Sequence, residues 1–216
     1  MVELQNRSMV KPPAFVIDDV LPVGLQLLYG KPKNDLSWIG LDYAYAVAGG
    51  TRYRNALGRF AVLTHGEVLY IAPSMTEEVL ARRFRIFGHP PADIRITVQP
   101  PTNEPFIPWL RTELNGHPET RLVVVDTLAG IITTPYEYDA AATFSKMLAQ
   151  ICWWKQIAIL LLVHASIALE RTTDSPGWLA GTDSVVELRA PDAHQRRRGM
   201  GQLIFKGRKV DQTIDL

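Results

Sequence analysis

Leu25-Gln26-Leu27-Leu28-Tyr29-Gly30-Lys31-Pro32-Lys33-Asn34-Asp35-Leu36-Ser37-Trp38-Ile39-Gly40-Leu41-Asp42-Tyr43-Ala44 reads as a buried strand, a tight loop and a helix. Leu25 to Tyr29 is a short apolar run closed by Gly30, the pattern of a central strand. Lys31 to Asp35 gathers Pro, Asn and Asp, the chemistry of a loop. Beyond it Leu36, Ile39, Gly40, Tyr43 and Val47 recur at helical spacing, and Gly49-Gly50 stops the helix. A strand, a Gly-opened loop and a helix, with Ser where loop becomes helix, is the frame of a phosphate-binding loop.

The filling of that frame departs from the template, which needs Gly, four residues, then Gly-Lys-Ser/Thr. Gly30 and Ser37 stand in place, but the inner Gly is Asp35 and the Lys is Leu36. The inner Gly lets backbone N–H groups approach phosphate, and the Lys neutralises its charge. Asp35 instead brings a carboxylate to where phosphate oxygens would lie. An ordinary strand-loop-helix crossover accounts for the same pattern, so two readings stand at this point.

Length and composition set the frame around this stretch. A chain of 216 residues with 47% hydrophobic content suits one globular domain with a sizeable core. We read residues 1–14 as a polar N-terminal arm and 15–216 as a single domain. The net charge of +1 offers no global basic field for nucleic acid, so any such binding must come from a local patch. Cys152 is the single cysteine, which excludes a disulfide framework or cysteine zinc site within one chain and fits a reducing compartment. Met1 to Lys11 lacks an apolar signal core, and no apolar run reaches membrane-spanning length. The expectation is a cytoplasmic protein with no membrane partner.

Along the chain, Phe15 to Gly24 reads as a short strand and turn, an edge hairpin leading into the central strand. Thr51-Arg52-Tyr53-Arg54-Asn55 is basic and aromatic, suited either to nucleic-acid stacking or to a solvated loop. Glu67 to Pro73 is a second strand, and Thr76-Glu77-Glu78 opens a helix with a Thr cap and acids in its first turn. Ile94 to Val98 is a short strand, and Pro105 to Leu114 a loop and short helix. Arg121 to Thr127 is a β-branched strand ending in Asp126, either a ligand-facing carboxylate or a cap. Ala140 to Lys155 is a helix. Ile157 to Val163 is a near-continuous apolar strand, the signature of a parallel sheet buried on both faces. His164 at its end is either a phosphate-facing group or a satisfied core histidine. Ser166 to Ser175 reads as a mobile loop and Gln195 to Gly199 as a basic hairpin tip. Strands and helices alternate to about Val163 and hairpins follow, which gives an α/β class with antiparallel C-terminal strands.

The order of these motifs resembles the RecA-fold ATPase family typified by RepA-like hexameric helicases, which are related to DnaB-type helicases and phage RecA-like proteins. The similarity runs from about Phe15 to Leu216. Val68-Leu69-Tyr70-Ile71-Ala72 is similar to the family's second strand, but Pro73 or Ser74 stands where its catalytic Glu would be. Leu122 to Asp126 resembles its magnesium strand, Leu160 to His164 its sensor strand, Ala180-Gly181-Thr182-Asp183 its Ala-Gly-x-x-Asp motif, and Lys206-Gly207-Arg208 its late Lys-Gly-Arg.

The resemblance implies a RecA-like P-loop NTPase fold with ATP and Mg2+ as cofactors. It implies a phosphate loop over Gly30, Lys31, Pro32, Lys33, Asn34, Asp35, Leu36, Ser37 and Trp38, with Ser37 and Asp126 on the metal. It implies catalytic roles for Asp126 and His164, and for Lys206 and Arg208 donated into a neighbouring subunit's nucleotide. The implied partners are further copies of the chain, in a ring or filament, and single-stranded DNA through the 166–175 loop and Arg171. Because Asp35, Leu36 and Ser74 replace residues the chemistry needs, the expectation is a helicase-like protein of DNA replication or recombination with impaired ATP binding and hydrolysis. The alternative is an active ATP-dependent helicase or single-strand-binding ATPase that uses Lys33 as its substitute cation.

Overall fold

The structure is a computed structural model that describes residues 15–31, 36–49, 60–87, 91–103, 105–132, 138–164, 176–189, 201–207 and 210–216. Its elements in chain order are β1 (Phe15–Ile17), β2 (Leu21–Pro22), β3 (Gly24–Gly30), α1 (Leu36–Gly49), β4 (Glu67–Ile71), α2 (Glu77–Phe87), β5 (Ile94–Thr97) and α3 (Phe106–Gly116). There follow β6 (Thr120–Asp126), α4 (Leu128–Ile131), α5 (Tyr138–Lys155), β7 (Ala158–His164), α6 (Pro176–Leu179), β8 (Ser184–Arg189), β9 (Gln202–Gly207) and β10 (Gln212–Asp215).

An eight-stranded sheet runs in the order β10-β9-β8-β3-β7-β6-β4-β5. The six strands from β8 to β5 are parallel, and β8, β9 and β10 pair antiparallel with one another. The four apolar runs expected at its centre, β3, β7, β6 and β4, are adjacent there. Alternation along each strand divides the core into two layers. Leu28, Tyr70, Val124, Leu160 and Leu162 face α1 and α2, while Leu25, Leu69, Val123, Ile159 and Leu161 face α3 and α5.

Helix α1 is buried on most of its circumference, which is why its sequence is apolar nearly all round. Gly40 lets it lie close on the sheet, since a Cβ there would stand 2.9 Å from Leu162 Cδ1 and 3.3 Å from Val124 Cγ1. The Thr76 cap of α2 is present, with Oγ1 accepting from Val79 N at 3.3 Å.

Two elements differ from the sequence expectation. The hairpin at 15–22 is not an edge of the main sheet but a separate two-stranded sheet. Its Val16, Ile17, Val20 and Leu21 are all buried, so it covers the α1 layer, and Gln26 Nε2 ties it to β3 by donating to Val20 O at 3.0 Å. The 105–114 segment is almost wholly helix α3, because Phe106, Ile107, Leu110 and Leu114 form one buried stripe. The expected 166–175 loop lies outside the described residues, and the helical turn α6 that follows it packs by Gly177 against Tyr138 and Ala141 of α5.

The Ala180-Gly181-Thr182-Asp183 motif has a structural task. Gly181 lies against the Ser145 backbone with no room for a Cβ, and its N–H donates to Ser145 Oγ at 3.2 Å. Asp183 Oδ2 accepts from Leu25 N at 3.0 Å, and Asp183 N donates to Leu25 O at 2.8 Å. Gly24 has φ +143, and any side chain there would meet the Asp183 carboxylate.

Candidate functional site

Parallel sheets present ligand-binding groups at the carboxyl ends of their strands. Here those ends carry Gly30 of β3, His164 of β7, Asp126 of β6 and the β4 exit at Ala72. Gly30 and His164 stand side by side in register, and Asp126 lies level with Leu162, so the histidine reaches beyond the carboxylate.

Asp126 is the centre of the cluster and is 0% exposed. Its Oδ1 accepts from Ser37 Oγ at 3.1 Å, its Oδ2 from Tyr70 OH at 2.6 Å, and Arg83 Nη1 lies 3.8 Å from Oδ2. Burial holds the Asp126 carboxyl above its ordinary range, against the opposing pull of Tyr70, Ser37, Arg83 and His164. Burial, then the Asp126 charge, pushes the Tyr70 phenol up, so Tyr70 stays a proton donor. These partners are side chains from β4, α1 and α2, which removes the reading of Asp126 as a cap.

Leu36 fills the place of the template lysine and is 0% exposed. It belongs to the α1 core layer, and its Cδ2 stands 3.2 Å from where a Gly30 Cβ would be. The side chain therefore packs as hydrocarbon beside Gly30 and offers neither charge nor donor. Ser74, at the expected Glu position, is exposed beside Gly130. His164 is exposed at its strand end, which removes the core-histidine reading.

The remaining expected residues are placed as follows. Trp38 is half-buried beside Arg83, and Lys31 is exposed after Gly30. Lys206 is exposed on β9 opposite Val185, toward the amino-terminal end of β8 and away from Asp126. One chain thus brings together Gly30, Ser37, Trp38, Asp126 and His164 but not Lys206. Pro32, Lys33, Asn34, Asp35, Arg171 and Arg208 lie outside the described residues, as do the 51–55 and 195–199 segments.

Tyr70 and Arg83 are site residues that sequence reading missed. Tyr70 was visible only as a strand residue and Arg83 only as one of a basic run. The available signal was helical phase: Arg83 adjoins the buried Leu80 and Phe84 positions, whereas Arg82 and Arg85 are exposed. Arg83 lies over the Trp38 ring at 5.8 Å and its Nη1 approaches Met75 Sδ at 3.3 Å.

Magnesium demands a near-octahedral set of oxygens, usually with one or two carboxylates and open water positions. The described cluster supplies one carboxylate and one hydroxyl, both carboxylate oxygens already accept hydrogen bonds, and Arg83 is already the countercharge. Among the described residues no group of three His, Cys, Asp or Glu could hold a metal ion. A divalent ion and a guanidinium sharing one buried carboxylate repel strongly. With Arg83 in place, these residues do not fit a divalent ion.

The AAA domain family model matches residues 5–167. A solved structure described as "ATPase Domain of G40P" is similar, with a TM-score of 0.62 and 11% identity over 89% of this chain and 80% of that one. At that identity the likeness is one of fold, and it is the RecA-like α/β architecture expected from the order of motifs. No curated protein matches the chain in sequence. No helix among the described residues is long and apolar enough to cross a membrane.

Proposed function

This chain belongs to the AAA domain family, and on that premise we propose that it is a RecA-fold, helicase-like protein of DNA replication or recombination that has lost ATP turnover. The observation that carries the reading is Leu36, buried against Gly30 where the phosphate-loop lysine would act. Loss of one preorganised electrostatic contact costs about two to three orders of magnitude in rate. Ser74 adds a second defect, because a hydroxyl does not activate water as a carboxylate does. The Ser37–Asp126 link and the strand-end histidine keep the shape of a nucleotide site without its chemistry.

Assembly with further copies of the chain accompanies this reading. Lys206 faces away from the chain's own Asp126, which supports a role at a neighbouring copy's site, with Arg208 beside it in sequence. Single-stranded DNA is the proposed nucleic-acid partner, through Arg171 and its loop. With a net charge of +1, that binding is modest and salt-sensitive.

Steady-state phosphate release, with and without single-stranded DNA, tests the proposal. The expected result is no release above background in either condition. Brisk release that Asp126→Ala abolishes would overturn it and give the lysine's role to Lys33.

A further inference from the structure

Helix α5 ends in two consecutive tryptophans that stay in solvent, Trp153 at 70% and Trp154 at 61% exposure. An indole is among the largest apolar side chains, and an exposed pair of them marks a contact surface. Strand β7 begins at Ala158, just beyond α5, so the pair lies at the amino ends of the strands, on the opposite edge of the sheet from Gly30 and Asp126.

The charge around the pair has one sign. From Ala140 to Lys155 the chain carries Lys146 and Lys155 and no Asp or Glu. Lys146 shares a helical face with Trp153. Arg111 reaches across from α3, its guanidinium 5.7 Å from the Trp154 ring centre, and among the described residues its buried Nε finds no acceptor. Glu113 of α3 turns away from the pair and binds Arg95 of β5 at 3.2 Å. Lys155 Nζ donates to a neutral partner, Asn115 Oδ1, at 2.7 Å. Among the described residues none of these three cations is paired with a carboxylate. Carbonyls at a helix end repel anions, but here Gln156 Nε2 donates to Trp153 O at 2.6 Å and Ile157 N to Cys152 O at 3.2 Å. The exposed large aliphatic side chains, Leu63, Val79, Ile86 and Ile96, all lie on other segments, so the apolar area of this patch is aromatic.

We propose that Trp153 and Trp154 are a stacking platform for single-stranded nucleic acid, with Arg111, Lys146 and Lys155 neutralising its phosphates. Aromatic faces accept any base, and cations beside them follow the backbone. The lack of carboxylates selects a polyanion, and the purely aromatic apolar surface selects one that carries flat rings. A net charge of +1 leaves nucleic-acid binding to a local patch, and this patch has the composition for it. The platform depends neither on the strand-end cluster nor on Arg171.

The test titrates the full chain into a fluorescein-labelled oligothymidylate of about 15 nucleotides, read by fluorescence anisotropy, with an abasic strand of the same length as the comparison. The abasic strand is expected to bind about tenfold more weakly or worse, because it has nothing to stack. Trp153→Ala and Trp154→Ala each weaken thymidylate binding about tenfold and leave abasic binding unmoved, while Trp154→Phe, which keeps a π-face, recovers most of the loss. Both indoles lie mostly in solvent, so these variants keep the parent's melting temperature. Replacing Arg111, Lys146 and Lys155 together by Gln makes the log–log salt dependence shallower by about 2, at about 0.7 for each phosphate contact. Equal affinity for the abasic strand, affinity unmoved when both indoles become Ala, displacement by poly-glutamate as effective as by unlabelled thymidylate, or no binding by the unaltered protein each overturns the inference. Binding lost on Arg171→Ala but unmoved by the tryptophan variants also overturns it, and leaves the loop contact standing.

Discussion

Asp42 sits on α1 with 3% of its surface exposed, and among the described residues its Oδ1 has no hydrogen-bond partner. Burial raises its carboxyl from an ordinary 3.8 to about 7. At about 1.4 kcal/mol per pH unit, that difference corresponds to about 4 kcal/mol between the neutral and ionised forms. Because the folded-state value lies above the unfolded one, the associated stability is fully present below pH 4 and is lost as pH rises through about 7. Asp42→Asn keeps the shape of the neutral acid and cannot ionise. Allowing about 1 kcal/mol for the amide's own unpaired groups, the variant is more stable than the parent by about 3 kcal/mol at pH 8.5. For a chain of this length that raises the melting temperature by about 6–12 °C. At pH 4 the two proteins differ little. Circular-dichroism melts of both proteins from pH 4 to 8.5 measure this. A parent whose melting temperature does not fall relative to the variant across that range would refute the reasoning, as would a variant that is less stable at pH 8.5.

Tyr70→Phe removes the 2.6 Å donor to buried Asp126 and destabilises the fold by about 2 kcal/mol, read as a lower urea midpoint at unchanged slope. Gly40→Ala forces a methyl to 2.9 Å from Leu162 Cδ1 and costs about 1–3 kcal/mol in the same assay. Combining Asp35→Gly and Leu36→Lys with Arg83→Ala, which restores the loop cation and frees Asp126 of its guanidinium, is expected to give magnesium-dependent nucleotide binding, provided the melt shows that the buried Leu36 site tolerates the longer side chain. Adding Ser74→Glu is then required for turnover, which phosphate release measures.

The central strands were readable because burial on both faces leaves continuous apolar runs, as in Ile159 to Leu162, that no surface helix would carry. Asp126 and Ser37 stood out because their types and places match the chemistry of a phosphate site, and the structure joins the two by a hydrogen bond. The direction of Leu36 was not, since a sequence shows that lysine is missing but not that its replacement turns inward. Tyr70 and Arg83 escaped for a related reason. They reach Asp126 from β4 and α2, across sequence separations that no local window spans, and only the register of β4 beside β6 brings them there. The 15–22 hairpin was recognisable as a hairpin, but its four buried apolar residues fit a cover over α1 better than a sheet edge, which only the packing reveals.

Strand β3 has consequences for the order in which this chain acquires structure. Its two neighbours, β7 and β8, begin at Ala158 and Ser184, and the Leu25–Asp183 clamp closes a separation of 158 residues. During synthesis the organising strand and its loop therefore emerge long before either partner exists. Both of its hydrogen-bonding edges stay unpaired until β7 and then β8, the strands that flank it, arrive from Ala158 onward. Closing contacts of such separation is slow. The nascent chain thus carries an adhesive apolar strand through most of its translation, and truncation before Asp183 leaves it with an open edge.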